Sequence, residues 1–200
     1  MKIVVFDLDG TLVPFNSFPR WVLFLMKSAI INMSLGLLLR IIWNLGLRKL
    51  RFLGHSDFKK NIMELEYDEE IDRSFAEYLV GQIDPLVLQD INKLDAEDRL
   101  IVSTAAPSNY VRFFVLKTSF YINDFFCSVL EYGDLRENYS ISKVDNFIKT
   151  YGDKSCDVFY TDHHEDLPMM QYSKKVVLVR PSQLTLEIVE SGSVNLVQIV

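Results

Sequence analysis

The sequence predicts a three-layer α/β fold, a parallel β-sheet covered by helices on both faces and interrupted after its first strand by an all-helical insertion. Three observations predict it. From about residue 85 onward, short β-branched and apolar runs alternate with helical patterns, as in βαβ units. One further strand-like run opens the chain at Lys2–Phe6 and ends in Asp7-Leu8-Asp9-Gly10. Between them, from Phe18 to Val80, no strand-like run with turn punctuation occurs.

Lys2–Phe6 is too short for a helix and is bounded by a turn signal, so it is a buried strand. Leu23, Met26, Ile30, Met33, Leu37 and Ile41 then recur at three- and four-residue spacing, which predicts a helix or helix pair within Trp21–Leu47. Asp57–Leu65, capped by Ser56 or Asp57, and the acid-rich Glu69–Val80 continue the helical pattern, with His55 in a loop. After Pro85 the expected order is helix Leu86–Leu94, strand Arg99–Ser103 ending in Thr104-Ala105-Ala106-Pro107, helix Asn109–Thr118 and strand Phe125–Leu130. Helix Lys143–Thr150, strand Asp157–Thr161, helix Leu167–Tyr172, strand Val176–Val179 and an edge strand within Val194–Val200 complete it. No GxGxxG or GxxxxGK loop is present, so nucleotide cradling of those kinds is not indicated.

With 200 residues, 49% of them hydrophobic, the chain can bury a sizeable core, which excludes disordered and collagenous classes. The net charge of -6 argues against a nonspecific nucleic-acid partner, but the charge is unevenly spread. From Arg20 to Lys60 eight cations face one acid, Asp57, giving +7 and leaving -13 for the remainder. An apolar, basic segment of this kind suits an anionic substrate or bilayer; the alternative is a solvated helical face. Its longest uncharged stretch, Ser28–Leu39, has 12 residues, against about 17–25 for a membrane span, so an interfacial helix fits better than a crossing one. Cys127 and Cys156 lack a CxxC spacing and sit in apolar runs, where buried reduced thiols are expected. The opening residues do not read as a signal peptide, and a cytoplasmic location is expected.

Ligands of parallel α/β sheets bind beyond the carboxyl ends of the strands, and four such places carry chemistry here. They are Asp7-Leu8-Asp9-Gly10-Thr11, Thr104, Lys143, and Asp162-His163-His164-Glu165-Asp166. Asp7 and Asp9, two residues apart in an extended segment, place two carboxylates on one side, where they repel unless a proton or a cation intervenes. With Asp162 and Asp166 they make four hard oxygen donors at one end of the sheet, which suggests magnesium. Such a site suits phosphoryl transfer: one carboxylate attacks phosphorus, another serves as general acid and base, and Lys143 and Thr104 offset or bind the transferring group.

These residues resemble the motifs of the haloacid dehalogenase-like (HAD) superfamily, in its phosphoserine phosphatase-like and phosphatidylglycerophosphate phosphatase-like branch with a helical cap. Phe6-Asp7-Leu8-Asp9-Gly10-Thr11-Leu12 matches the first motif, a strand followed by DxDxT. Thr104 in Thr104-Ala105-Ala106-Pro107 fits the second, Lys143 the third, and the pair Asp162 and Asp166, followed by Leu-Pro, the DxxxD of the fourth. The usual Gly-Asp-Ser of that motif is here Thr161-Asp162-His163, a departure that affects the local turn. The resemblance implies a Rossmann-like core with Asp7 as nucleophile, Asp9 as general acid/base and donor of its main-chain carbonyl to magnesium, and Thr11 supporting the loop. Gly10, Thr11, Thr104, Ala105 and Lys143 would bind phosphate, and Asp7, Asp9, Asp162 and Asp166 would hold the metal.

The same resemblance divides the chain into a core of residues 1–14 and 84–200 and a cap of residues 15–83, which selects substrate. The expected activity is a magnesium-dependent phosphomonoesterase acting through an aspartyl-phosphate on a small-molecule or lipid phosphate, with peripheral contact of the basic, apolar cap at the inner face of a membrane. The alternatives are a phosphotransferase or phosphomutase of the same superfamily, and a non-catalytic membrane-associated interaction module. The intact set Asp7, Asp9, Thr104, Lys143 and Asp162 weighs against the module, and Asp9 weighs against a dehalogenase.

Overall fold

Strand β1 (Ile3–Phe6), buried at every residue, runs through the middle of a seven-stranded sheet in the computed structural model, which describes residues 1–195 and 197–200. Its parallel neighbours are β2 (Arg99–Pro107) and β5 (Cys156–Thr161). Outside these lie β3 (Asp124–Glu131), β6 (Ser173–Leu178) and, at one edge, β7 (Val197–Ile199), all parallel. β4 (Asp134–Arg136) is the exception, pairing antiparallel with β3 at the other edge in the order β4-β3-β2-β1-β5-β6-β7. The sheet is therefore mixed but mostly parallel. The departure from the all-parallel expectation comes from a two-residue turn, Tyr132-Gly133, in which both residues have positive φ, the geometry that suits a tight hairpin.

Alternate residues of β1 feed two separate cores. Ile3 and Val5 pack with Phe147 of α7 (Ile141–Tyr151), Met169 and Met170 of α8 (Leu167–Tyr172), and Val189 of α9 (Gln183–Ser191). Val4 and Phe6 face the other way, toward Val87 and Ile91 of α5 (Pro85–Ile91) and Tyr110 and Phe114 of α6 (Ser108–Lys117). This is the expected three-layer α/β arrangement. Helix α9 was not expected from the sequence; Ser182 starts it by accepting a hydrogen bond from the Thr185 amide at 3.1 Å.

The insertion is all helical: α1 (Ser17–Ile31), α2 (Leu35–Lys49), α3 (His55–Met63) and α4 (Glu70–Val80). Asn16 caps α1 by accepting from the Phe18 amide at 3.1 Å. The apolar stripe expected within Trp21–Leu47 proves to be a helix pair, α1 packed on α2. Helix α3 begins two residues before the expected start, with Gly54 rather than Ser56 or Asp57 at its cap. His55 thus lies in a helix and not in a loop, its ring edge-on to Phe18 at 6.1 Å. The insertion closes on itself, because the Asp84 amide donates to the Leu12 carbonyl at 2.8 Å and the Asp84 side chain caps α5. Its apolar interior is continuous with the sheet's: Trp21 of α1 and Phe75 of α4 lie 5.3 and 5.0 Å from the Tyr110 ring of α6.

Two strand boundaries shift. Thr104-Ala105-Ala106-Pro107, expected beyond the strand end, continues β2, whose register with β3 breaks between Ser103 and Pro107. The edge strand expected within Val194–Val200 is confined to β7, and Leu196 lies outside the described residues. Cys127 and Cys156 are both free thiols, the second fully buried. Among the described residues no helix is long and apolar enough to cross a membrane.

One buried acid ties the insertion together. Asp72 of α4 accepts from Trp21 Nε1 at 2.7 Å and from the Tyr67 hydroxyl, and burial pushes its carboxyl up to about 6. A carboxyl raised on folding binds its proton more tightly in the native state, so it favours folding most at low pH and loses that advantage as pH rises from about 4 through about 6. Asp72→Asn should therefore gain stability relative to the parent over that interval, by roughly 3 kcal/mol, and the difference should level off above it. Urea unfolding of both proteins across the pH range measures this; a difference independent of pH would refute it.

Candidate active site

The buried strand β1 drives its backbone straight into a tight turn beneath a cavity of about 360 Å³ at the carboxyl ends of β1, β2 and β5. The turn is built from short-range bonds, Val13 amide to Leu8 carbonyl at 2.9 Å and Leu12 amide to Asp7 carbonyl at 3.3 Å, and is anchored to β5 by the Asp7 amide, which donates to the Tyr160 carbonyl at 2.9 Å. Gly10 is required at its position. Its φ is +72°, and a Cβ there would lie 2.1 Å from Asp162 Oδ2, so the glycine lets the β5 loop close over the β1 loop.

Asp7, Asp9, Gly10, Thr104, Ala105, Lys143, Asp162 and Asp166 all line this one cavity. Thr11 does not; it is buried beneath the loop, its hydroxyl without a partner among the described residues. Asp7 stands on the cavity floor, with one oxygen accepting from the Leu8 amide at 2.7 Å and the other 3.1 Å from Lys143 Nζ. Lys143, buried in α7, also meets Asp166 at 2.7 Å, and Asp166 accepts from the Thr161 hydroxyl at 2.7 Å. Burial alone would discharge this lysine, but Asp166 and Asp7 outweigh it and hold the ammonium charged.

The acids feel the opposite balance. Burial raises Asp7 well above the usual carboxylate range, Lys143 pulls it back, and the charges of Asp166, Asp9 and Asp162 push it up again. Asp9 is pushed up to about 6 by burial, against hydrogen bonds from Ser17, whose amide donates to Oδ1 at 3.0 Å. Asp162 is likewise raised, mainly by burial. Among the side chains lining the cavity, Lys143 is the one lysine or arginine.

Asp7, Asp9, Asp162 and Asp166 are the expected metal ligands; all four line the cavity, and among the described residues no three carboxylate, histidine or cysteine side chains come together as a ready-made metal site. Asp166 is the clearest reason, since its oxygens serve Lys143 and Thr161. The remaining donors nonetheless fit a small hard cation in kind. Asp7, Asp9 and Asp162 are carboxylates crowded around one cavity, with a negative charge that Lys143 alone does not balance. His163 accepts from the Glu165 amide at 3.3 Å and stacks near His164, which organises the turn after β5.

A second buried lysine, which the sequence reading passed over, secures the loop of Thr104 from behind. Lys59 of α3 donates to the Ala105 carbonyl at 2.6 Å, the Ser128 hydroxyl at 3.0 Å and Glu137 at 2.7 Å. Beside it, the buried Asn138 donates to Ser103 Oγ at 3.1 Å and to the Thr104 carbonyl at 3.2 Å. The basic stretch around Lys59 offered no sign that this one member turns inward. Apart from Phe15 and Asn16, the insertion contributes no lining residue, so the +7 segment does not face the cavity as expected of a cationic lid.

Lys59→Met should cost about 3 kcal/mol, because it removes the ammonium from three acceptors, one of them the half-buried carboxylate of Glu137. Glu137→Gln, which keeps a carbonyl oxygen for Lys59 and turns an NH2 toward the Ser56 hydroxyl as acceptor, should cost only about 1 kcal/mol, because the ammonium retains Ala105 and Ser128. Equilibrium unfolding in urea ranks the two; equal or reversed losses would show that the ammonium contributes little.

The fold agrees with what is known of other proteins. The haloacid dehalogenase-like hydrolase family model matches residues 4–171. No curated protein matches the sequence. Among solved structures, a protein of unknown function from Bordetella pertussis Tohama I is similar at TM-score 0.74 and 17% identity, over 98% of each chain. A probable phosphoserine phosphatase from Vibrio cholerae is similar at TM-score 0.65 and 14% identity, over 98% of this chain and 60% of that one. A phosphoserine phosphohydrolase-like protein from Francisella tularensis is similar at TM-score 0.60 and 15% identity, over 100% of this chain and 95% of that one. At these identities the structures speak for the fold alone, whereas the family model spans the chain from the central strand into the last turn of α8; the chain belongs to the haloacid dehalogenase-like hydrolases.

Proposed function

We propose that this hydrolase is a magnesium-dependent phosphomonoesterase that works through an aspartyl-phosphate on Asp7. The observation that carries the reading is the pairing of a buried acid, Asp7, with a half-buried one, Asp9, in different surroundings on one turn. Asp7 contacts the ammonium of Lys143, while Asp9 is held by Ser17 and raised to about 6, so that it exchanges a proton near neutral pH.

A phosphate monoester enters the cavity with its phosphorus facing Asp7. The Asp7 carboxylate oxygen attacks phosphorus, and the bond from phosphorus to the ester oxygen breaks as Asp9 gives that oxygen its proton. Asp9, now a carboxylate, takes a proton from water as the water oxygen attacks the same phosphorus. The bond to Asp7 breaks, phosphate leaves, and both acids return to their starting forms. Lys143 offsets negative charge on the transferring group, and the Thr104 hydroxyl lines the place where its oxygens sit. Asp7 and Asp162 would hold magnesium, with the Asp9 main-chain carbonyl in the manner of the resembling family. When bound, the metal supplies positive charge against the phosphate oxygens and the crowded carboxylates. The substrate class is a small phosphorylated molecule or a phospholipid headgroup ester.

With p-nitrophenyl phosphate, phosphate release should require magnesium, stop on chelation and return on adding the metal. Asp7→Asn should lower it at least about 1000-fold. Asp9→Asn should lower it about 100- to 10,000-fold, with a smaller effect on a substrate whose leaving group needs no proton. Undiminished release in Asp7→Asn would overturn the nucleophile assignment.

A further inference from the structure

We propose that the α1–α2 hairpin is a docking surface for an anionic lipid bilayer, which it meets lying in the interface. The hairpin buries one apolar stripe and exposes another. On α2, Leu37 and Ile41 are buried in the shared core, while Leu35, Leu39, Ile42 and Trp43, spaced for the opposite side of the helix, stand in solvent. The tip is apolar as well: Ile30, Ile31 and Met33 are exposed, Met33 at 89%. Trp43 is 69% exposed and Phe52, just beyond α2, is 75% exposed. Scattered apolar side chains on a surface need no explanation, but a whole helical stripe with its connecting tip left in water does.

Charge decides what covers it. Residues 10–56 contain six lysines and arginines and no acid, while every Asp and Glu of the chain lies elsewhere. Lys27, Arg40, Lys49 and Arg51 are exposed and make no ion pair with any described residue. A second copy seated on this face in a two-fold pairing would bring these cations against their own equivalents, with no acid from either hairpin to meet them. An anionic membrane surface supplies the missing charge and accepts the apolar side chains, with the long cationic side chains reaching the headgroups. Each helix of the pair has 15 residues, about 22 Å of length, against the roughly 30 Å of a hydrocarbon core. The hairpin therefore lies along the interface rather than across it. None of its side chains lines the catalytic cavity, so docking leaves that cavity free.

The two tryptophans make a direct test, since Trp21 is fully buried and Trp43 is exposed. The full chain is mixed with vesicles of phosphatidylcholine, or of phosphatidylcholine with phosphatidylglycerol, at low salt. It should co-sediment with the anionic vesicles, with a blue shift of tryptophan emission that disappears in Trp43→Phe and fades as salt is added. Neutralising Arg40, Lys49 and Arg51 together to Gln should weaken the partition about 100-fold while leaving far-ultraviolet circular dichroism and the activity on a soluble aryl phosphate unchanged. No co-sedimentation with anionic vesicles at low salt overturns the proposal. So does a dimer by sedimentation equilibrium with Trp43 emission already blue-shifted before vesicles are added, which assigns the face to a second copy. Vesicle binding is read without turnover, so failure here and failure of the phosphatase reading are separate results.

Discussion

The site depends on one buried ammonium. Lys143 sits between Asp7 and Asp166, and through them it joins three segments far apart in the chain: the turn after β1, the start of α7 and the turn after β5. A lysine buried this deeply is held charged by the two carboxyl groups that face it, and Asp166 is in turn satisfied by Thr161. Removing one member of such a set strands a charge away from water, at a cost of about 3–5 kcal/mol. The array therefore fixes where the cavity floor lies, whatever its net contribution to stability. It also explains why Asp166, an acid at the right spacing for a metal ligand, is committed to a protein cation.

Lys59 repeats the arrangement on the other side of the β2 loop. It comes from the insertion, yet its three acceptors, Ala105, Ser128 and Glu137, all belong to the sheet and its loops. Together with the Trp21–Tyr110–Phe75 cluster, this makes the insertion an extension of one core layer, with polar and apolar contacts alike crossing to the sheet. The two lysines differ in consequence. Lys143 reaches into the cavity and acts on its charge, whereas Lys59 grips the Ala105 carbonyl and thereby the main chain on which Thr104 rides.

What the sequence disclosed follows the range of the interactions involved. The DxDGT turn was legible because strand, turn and both acids fall within one short run whose geometry is set locally. The strands and helices of the α/β half, α9 and β4 apart, were legible for the same reason, through alternation of apolar periods. β4 was not, because three residues with alternating charge have no period and its hairpin turn places a tyrosine at positive φ, where Asn or Gly is the usual signal. Lys59, Glu137 and Asn138 were invisible because their partners are tens of residues away and each looks like an ordinary surface residue. Asp166 was visible as an acid, but its partner, not its spacing, determines its contacts.

The uneven charge of the chain now has a spatial meaning. The acids that crowd the cavity are raised above the usual carboxylate range by burial, and Lys143 is the one lysine or arginine lining it beside them. The cations of the insertion divide: Lys59 turns inward to the β2 loop, while Lys27, Arg40, Lys49 and Arg51 stay in solvent beside an uncovered apolar stripe. Acids at the start of α4 approach one end of the hairpin, where Lys27 lines a cavity with Asp68 and Glu70, whereas Arg40, Lys49 and Arg51 make no ion pair with any described residue. The exposed cations of the hairpin and the carboxylates of the cavity thus lie on separate parts of the surface, over one apolar interior continuous from sheet to hairpin.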